Sequence, residues 1–172
     1  MFRKLLMMVT ILFCFILQST VFPAISMGGV VPNIFIIIAS TYVFMRDETE
    51  GLLAGFFCGI LCDVFYGNIL GFYALLYMMI GFINGKFSRI FYPEDIKLPM
   101  ALITLSELSF STVCYILLFL LNGRFNVLWY FMHLILPELI YTILVTLVLY
   151  PVILFVNQKL DAFERKRAQK FV

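Results

Sequence analysis

Charge is scarce in this sequence. Only 13% of its 172 residues are Asp, Glu, Lys or Arg, whereas 63% are hydrophobic, and the mean hydropathy is +1.05. Soluble domains carry about 25% charged residues, so this composition excludes a soluble globular protein and predicts a chain that folds in lipid. The connections between the apolar stretches are too short to bury a core of their own. We therefore expect a single membrane domain.

The sequence also lacks the residue patterns of catalysis and metal binding. It holds one histidine, and it contains no His-Glu-x-x-His, no Gly-x-Ser-x-Gly and no phosphate-binding loop. Its four cysteines lie inside apolar runs without further ligands at metal-binding spacing, so we interpret them as packing residues. We predict that the protein is not an enzyme and that it has no metal site and no cofactor.

Long apolar runs are what the sequence has in abundance. A helix needs about 20 apolar residues to cross the hydrocarbon core, or somewhat fewer where its flanking residues snorkel. Six runs predict an all-α integral membrane protein with six transmembrane helices, at residues 5–22, 30–45, 51–66, 69–87, 99–121 and 127–156. Pro137 and Pro151 predict that the last span is kinked or tilted. Residues 157–172 follow as a basic tail.

The positive charges predict how these helices are oriented. Lys and Arg are retained on the cytoplasmic side of a membrane. With both termini inside, eleven of the twelve Lys and Arg residues lie in cytoplasmic segments and only Arg124 lies outside. An odd number of spans would destroy this bias, so the bias supports six. An alternative for the N-terminus is a cleavable signal peptide, for which residues 24–26 are an imperfect cleavage motif.

The third span carries the most regular pattern. Gly51, Gly55 and Gly59 recur every four residues, and Asp63 continues the series. Four residues return to nearly the same helix face, and small residues on one face let two helices pack closely in lipid. We expect the three glycines to form a helix-packing surface, within the chain or toward a partner. Asp63 is either an intramembrane polar site or a cap on the turn at Gly67.

Glu107 and Glu138 are two further acids inside predicted spans. A rise of about 1.5 Å per residue places both of them, like Asp63, at middle depths of the membrane. No Lys or Arg shares a span with any of the three. An acid in lipid is costly unless it meets a polar partner or water. The three acids therefore either share one polar cavity or form separate local hydrogen bonds.

The C-terminal tail is strongly basic. Five of the twelve Lys and Arg residues lie between Lys159 and Lys170, and Arg165, Lys166 and Arg167 are among them. We expect these three residues to contact anionic lipid at the cytoplasmic surface or, alternatively, a cytoplasmic protein. The basic surface is too small to indicate binding of nucleic acid.

The segment from Pro32 to Leu75 resembles a known family. Its third span and the start of its fourth are similar to the signature of MreD, the rod shape-determining membrane protein of bacteria. The matching pattern is Gly51-x3-Gly55-Phe56-x2-Gly59-x3-Asp63-x3-Gly67-x2-Leu70-Gly71-x2-Ala74-Leu75. The first span ending in Leu17-Gln18-Ser19, the pair Pro32-Asn33, the chain length and the basic C-terminus also resemble that family.

The resemblance implies a scaffold of the cell-wall elongation machinery in the bacterial cytoplasmic membrane. Such a protein binds the bitopic protein MreC and works with MreB filaments, RodA and a class B penicillin-binding transpeptidase, without known catalysis. The family fold is similar to the substrate-binding subunits of energy-coupling-factor vitamin transporters. This leaves an alternative, a small-molecule-binding membrane subunit of a transporter, although the outer loops are short for a lid. A small transporter acting alone is a third class, but no inverted repeat supports it.

Overall fold

The computed structural model describes residues 2–26, 29–46, 48–67, 69–88, 96–120 and 126–169, and within these ranges the chain is all-helical. The predicted all-α class is therefore confirmed. Six helices follow one another in this part of the chain. The first is α1, Phe2–Ile16, which is continued by a π-helical turn at Leu17–Val21 and by Phe22–Ala24. Three uninterrupted helices follow, namely α2, Ile34–Met45; α3, Glu48–Phe65; and α4, Phe72–Ser88. The last two are α5, Lys97–Tyr115, continued by a π-helical turn at Ile116–Leu120, and α6, formed by Val127–Tyr130, a π-helical turn at Phe131–Ile135, and Leu136–Gln169.

Within the described ranges, three helical segments are long and apolar enough to cross a membrane, namely Lys4–Ala24, Lys97–Leu118 and Val127–Leu160. Ile34–Met45 and Phe72–Phe87 are shorter apolar helices. Each of the six predicted spans contains one described helix, but a count of six membrane crossings stays a prediction. The 34 residues at the end of α6 extend about 51 Å at about 1.5 Å per residue. This length exceeds a hydrocarbon core about 30 Å thick.

The short helix α2 lies at the centre of the bundle. It contacts each of the other five helices, and residues 34–44 are all buried. A helix that is apolar on every side must be surrounded by protein or lipid. The helix begins at Ile34, just after Pro32 and Asn33. Pro32 disfavours helical geometry in the residue before it, so the helix does not extend back beyond this proline. Its position makes α2 the common wall of the sites described below.

The next two helices form a hairpin whose members are the closest pair in the bundle. The backbone N–H of Gly67 donates to the carbonyl of Cys62 at 2.9 Å, which ends α3. The chain then enters α4 through Gly71, whose φ is +99°, a left-handed conformation that favours glycine. On other sides of α2 lie α5 and α6, and α1 contacts both α2 and α3.

Candidate functional site: a polar cavity and three buried acids

The glycines of α3 lie in the interface with α4. A Cβ atom on Gly55 would overlap the backbone of Tyr77, and one on Gly59 would overlap the backbone of Ala74. Both positions are buried. In lipid, such close backbone approach is a main source of helix association. These two glycines therefore bring α3 and α4 together within the chain.

Gly51 faces two helices at once. A Cβ atom there would overlap the side chain of Val43 on α2, and a Cβ atom on Gly81 of α4 would lie 2.6 Å from the Gly51 carbonyl oxygen. Gly85 is similarly close to Glu48. The sequence reasoning missed Gly81 and Gly85, although they too are four residues apart. Gly51, Gly55 and Gly59 are all buried inside the chain, so none of them is exposed to a partner.

Asp63 lies at the end of the same interface and caps α4. One of its carboxylate oxygens, Oδ2, accepts hydrogen bonds from the backbone N–H groups of Gly71 at 2.9 Å and Ala74 at 3.0 Å. Its Oδ1 accepts from the N–H of Tyr73 at 2.8 Å. The first N–H groups of a helix lack intrahelical partners, and negative charge is favourable there. Asp63 is only 3% exposed, and its carboxylate is fully used by the hairpin.

Glu107 and Glu138 lie in a different part of the bundle, where α5 packs on α6. Glu107 is 1% exposed, and its Oε1 accepts a long hydrogen bond of 3.4 Å from the hydroxyl of Ser111. Its Oε2 has no hydrogen-bond partner in the part of the chain that the structure describes. Glu138, on the facing helix α6, is close enough to interact electrostatically with Glu107. The two acids therefore form one cluster, apart from Asp63.

Glu138 also lines a cavity of about 260 Å³, which we name the Glu138 cavity. It lies where the end of α1, the start of α2, the hairpin and α6 meet. Its polar walls include Gln18, Asn33, Tyr66, Tyr73, Tyr77 and Glu138. Gln18, in the π-helical turn of α1, donates to the carbonyl of Pro32 at 2.8 Å and accepts from the N–H of Ile34 at 3.0 Å. Gln18 thus fastens α1 to the start of α2.

Two further hydrogen bonds fix the opposite walls of the cavity. The hydroxyl of Tyr77 donates to the side-chain oxygen of Asn33 at 2.9 Å. The backbone N–H of Asn33 donates to the hydroxyl of Thr142 at 3.0 Å. These bonds link α4, the start of α2 and α6, and satisfied buried polar contacts of this kind make a structure more rigid.

The comparison with protein families decides what kind of protein has this architecture. Residues 1–160 match the family model described as rod shape-determining protein MreD. The chain belongs to the MreD family. Its role is in rod-shape determination, as part of the shape and elongation machinery, and MreD is not known as an enzyme family. No curated protein and no solved structure matches the chain.

The residue pattern that resembles the MreD signature lies on the α3–α4 hairpin. Gly55 and Gly59 form its helix interface, Asp63 caps α4, and Gly71 makes the left-handed turn. The match does not support the alternative of a transporter subunit, and the similarity to vitamin-binding subunits stays a prediction. Within the described ranges, no three His, Cys, Asp or Glu side chains are grouped as metal ligands.

A second buried polar cluster was not predicted from the sequence. The side-chain amide of Asn84 on α4 donates to the hydroxyls of Ser40 at 2.8 Å and Ser106 at 2.9 Å. At the other end of α2, Arg46 donates to the side-chain oxygen of Asn157 at 2.8 Å. For Asn84 the available signal was a lone Asn inside an apolar run, which in lipid usually marks a helix contact, whereas Asn157 lies just beyond the last predicted span.

The predicted basic contact lies at the end of α6. The helix continues to Gln169 and therefore includes Arg165, Lys166 and Arg167. The side chains of these three residues lie outside what the structure describes.

Proposed function

We propose that this MreD-family protein is a six-span scaffold of the bacterial cytoplasmic membrane that binds MreC within the lateral-wall elongation machinery. MreB, RodA and a class B penicillin-binding transpeptidase act in the same assembly. The observation that carries the proposal is the family match over residues 1–160. Both termini lie in the cytoplasm, an orientation supported by the eleven of twelve Lys and Arg residues that it keeps inside.

A groove between α1 and α6 supports the binding of a partner helix. It has a volume of about 270 Å³ and mostly apolar walls, to which Val9, Phe13, Leu149 and Val152 contribute. Val9 is 55% exposed and Val152 is 53% exposed, so both sides of the groove face outward from the bundle. Helix association in lipid depends on such packing. We propose this groove as the docking surface for the single transmembrane helix of MreC.

The other candidate residues have supporting roles in this proposal. Gly51, Gly55 and Gly59 shape the scaffold by packing α3 against its neighbours. Arg165, Lys166 and Arg167 contact anionic lipid or a cytoplasmic partner at the inner membrane surface. The groove itself needs neither of these groups.

Filling the groove tests the docking proposal. Val9→Trp and Val152→Trp should each lower the amount of MreC recovered with the affinity-purified protein about tenfold, equivalent to about 1.4 kcal/mol of binding free energy. The matched control is Leu105→Trp, because Leu105 is 60% exposed on α5 and does not line the groove. Cells that carry either groove variant should lose rod shape.

Two results would contradict these proposals separately. Normal MreC recovery from both groove variants would reject the groove as the docking surface. Absence of MreC from preparations of the unmodified protein in mild detergent would reject direct binding. Recovery of an ATP-binding-cassette module instead would favour the transporter alternative.

A further inference from the structure

The Glu138 cavity has the chemistry of a site for a positively charged group. Among its described lining residues there is a carboxyl group, Glu138, but no Lys, Arg or His. Glu138 therefore has no cationic side chain in the described cavity wall to pair with. Ionising a carboxyl in a low-dielectric site is costly unless its charge is paired, so a ligand that supplies the opposite charge would stabilise the ionised form of Glu138.

Aromatic rings form the wall beside this carboxyl. Phe110 stacks on Tyr77, with ring centroids 4.8 Å apart, and lies 6.2 Å from the ring of Tyr73. Phe35 meets Tyr77 edge-on at 6.0 Å. All four rings line the cavity. The faces of aromatic rings attract cations, and clusters of such rings recognise alkylated ammonium groups.

The amide groups of the cavity are already used by the protein. Gln18 is bonded to the backbone of Pro32 and Ile34, and Asn33 accepts from Tyr77. These bonds fix the walls before any ligand binds, and preorganisation reduces the entropic cost of binding. The carboxyl of Glu138 is then the only acidic group among the described lining residues that a ligand can meet.

A second acid strengthens the preference for a cation. Glu107 accepts a hydrogen bond from Ser111, and the carboxyls of Glu107 and Glu138 are close enough to interact electrostatically. Glu107 is almost completely buried, and its Oε2 has no partner in the described residues. Two acids this close repel one another when both are ionised. A cation bound at Glu138 would reduce the cost of ionising them.

We propose that the Glu138 cavity binds a small organic cation, an alkylammonium group that pairs with Glu138 and rests against the rings of Tyr73, Tyr77 and Phe110. A dry cavity of about 150 Å³ holds benzene, so about 260 Å³ suits roughly ten non-hydrogen atoms. The group comes from a free amine or from the amine headgroup of a membrane lipid. This binding goes beyond the scaffold role and does not depend on MreC.

Choline and its carbon analogue, 3,3-dimethyl-1-butanol, test the proposal because they have nearly the same shape but only choline carries a positive charge. Thermal unfolding of the purified full-length protein in detergent is measured with each, at constant ionic strength. Choline at a hundredfold excess over its Kd should raise Tm by about 5–10 °C, and the analogue should leave it nearly unchanged. Equal shifts from both compounds, or no shift from choline, would overturn the proposal.

Glu138→Gln identifies the residue that pairs with the cation. It should weaken choline binding about tenfold or more, whereas the matched substitution Glu50→Gln at the start of α3 should not change it. Unchanged choline binding by a folded Glu138→Gln variant would reject Glu138 as the partner. If that variant does not fold, the choline and analogue pair on the unmodified protein still decides whether a cation is preferred.

Native mass spectrometry separates the two sources of the cation. Phosphatidylethanolamine retained in preference to phosphatidylglycerol, and displaced by choline, would assign the site to a lipid headgroup. Choline binding without retained phosphatidylethanolamine would assign it to a free amine.

Discussion

The hairpin of α3 and α4 differs from the pair of α5 and α6 in how the carboxyl oxygens of its buried acid are hydrogen-bonded. In the hairpin, the two oxygens of Asp63 accept three backbone N–H groups. Between α5 and α6, Glu107 is equally buried, yet one of its oxygens has no partner in the described residues. Fully satisfied polar groups specify a structure, whereas an acid left unsatisfied in lipid marks a candidate functional site.

The backbone differs in the same way. Each of α1, α5 and α6 contains a π-helical turn, whereas the described residues of α2, α3 and α4 form regular α-helix. A π-helical turn adds a residue to the helix and is frequent at functional sites. The one in α1 contains Gln18, which lines the Glu138 cavity. The hairpin is therefore built of regular α-helix, and the Glu138 cavity lies between it and the helices that contain π-helical turns.

Gly59→Leu should have the largest effect, because it acts on the backbone contact of the hairpin. Any Cβ at Gly59 overlaps the backbone of Ala74, which cannot move without separating α3 from α4. We expect a loss of about 3 kcal/mol or more of folding free energy. The measurement is the monodisperse fraction of a fluorescent fusion on size-exclusion chromatography, together with Tm in detergent.

Ala101→Leu is the matched control for Gly59→Leu. Ala101 is an exposed small residue on α5, so the same added side chain meets no backbone and should leave Tm nearly unchanged. A Gly59→Leu variant as stable as this control would show that the hairpin does not depend on close backbone approach.

Substitutions of Asp63 should have the next largest effect. Asp63→Leu leaves three N–H groups at the start of α4 without their acceptor, and we expect it to lower the folding free energy by about 3 kcal/mol. Asp63→Asn keeps one carbonyl oxygen as an acceptor and should lose only about 1–2 kcal/mol, as for a weakened helix cap. Thermal unfolding of the two variants in parallel checks this order. Equal, unchanged stability of both would show that the cap contributes nothing.

Much of the hairpin could be predicted from the sequence, because its determinants are local. The four-residue spacing of Gly55 and Gly59 indicated a packing face. Asp63, which continues this spacing, was considered as a cap on the turn at Gly67. The observed cap is at the start of α4, just after that turn. The sequence did not show whether the glycines face a partner or the same chain. Nor did it show that Asp63 reaches forward to the N–H groups of Tyr73 and Ala74, since that contact requires the turn to close.

The Glu138 cavity was harder to predict because it is assembled from distant segments. Gln18 and Asn33 were noticed only as parts of a family resemblance, and Tyr77 was not singled out. Hydropathy places a residue at a depth in the membrane but does not give its rotation about the helix axis. Glu107 and Glu138 could therefore be assigned similar depths, but their proximity to one another follows only from how α5 packs on α6.

Glu107→Gln should have the smallest effect, and it tests the contrast between the two acids directly. The substitution keeps an oxygen that can accept the 3.4 Å bond from Ser111 and removes one of two neighbouring acidic groups. We expect Tm to stay the same or rise, with a change in folding free energy below about 1 kcal/mol. Asp63→Asn is the matched amide substitution in the hairpin, measured under the same conditions. If the two amide variants lose equal stability, Glu107 has hydrogen bonds as important as those of Asp63. The hairpin and the α5–α6 pair would then not differ in how they satisfy buried acids.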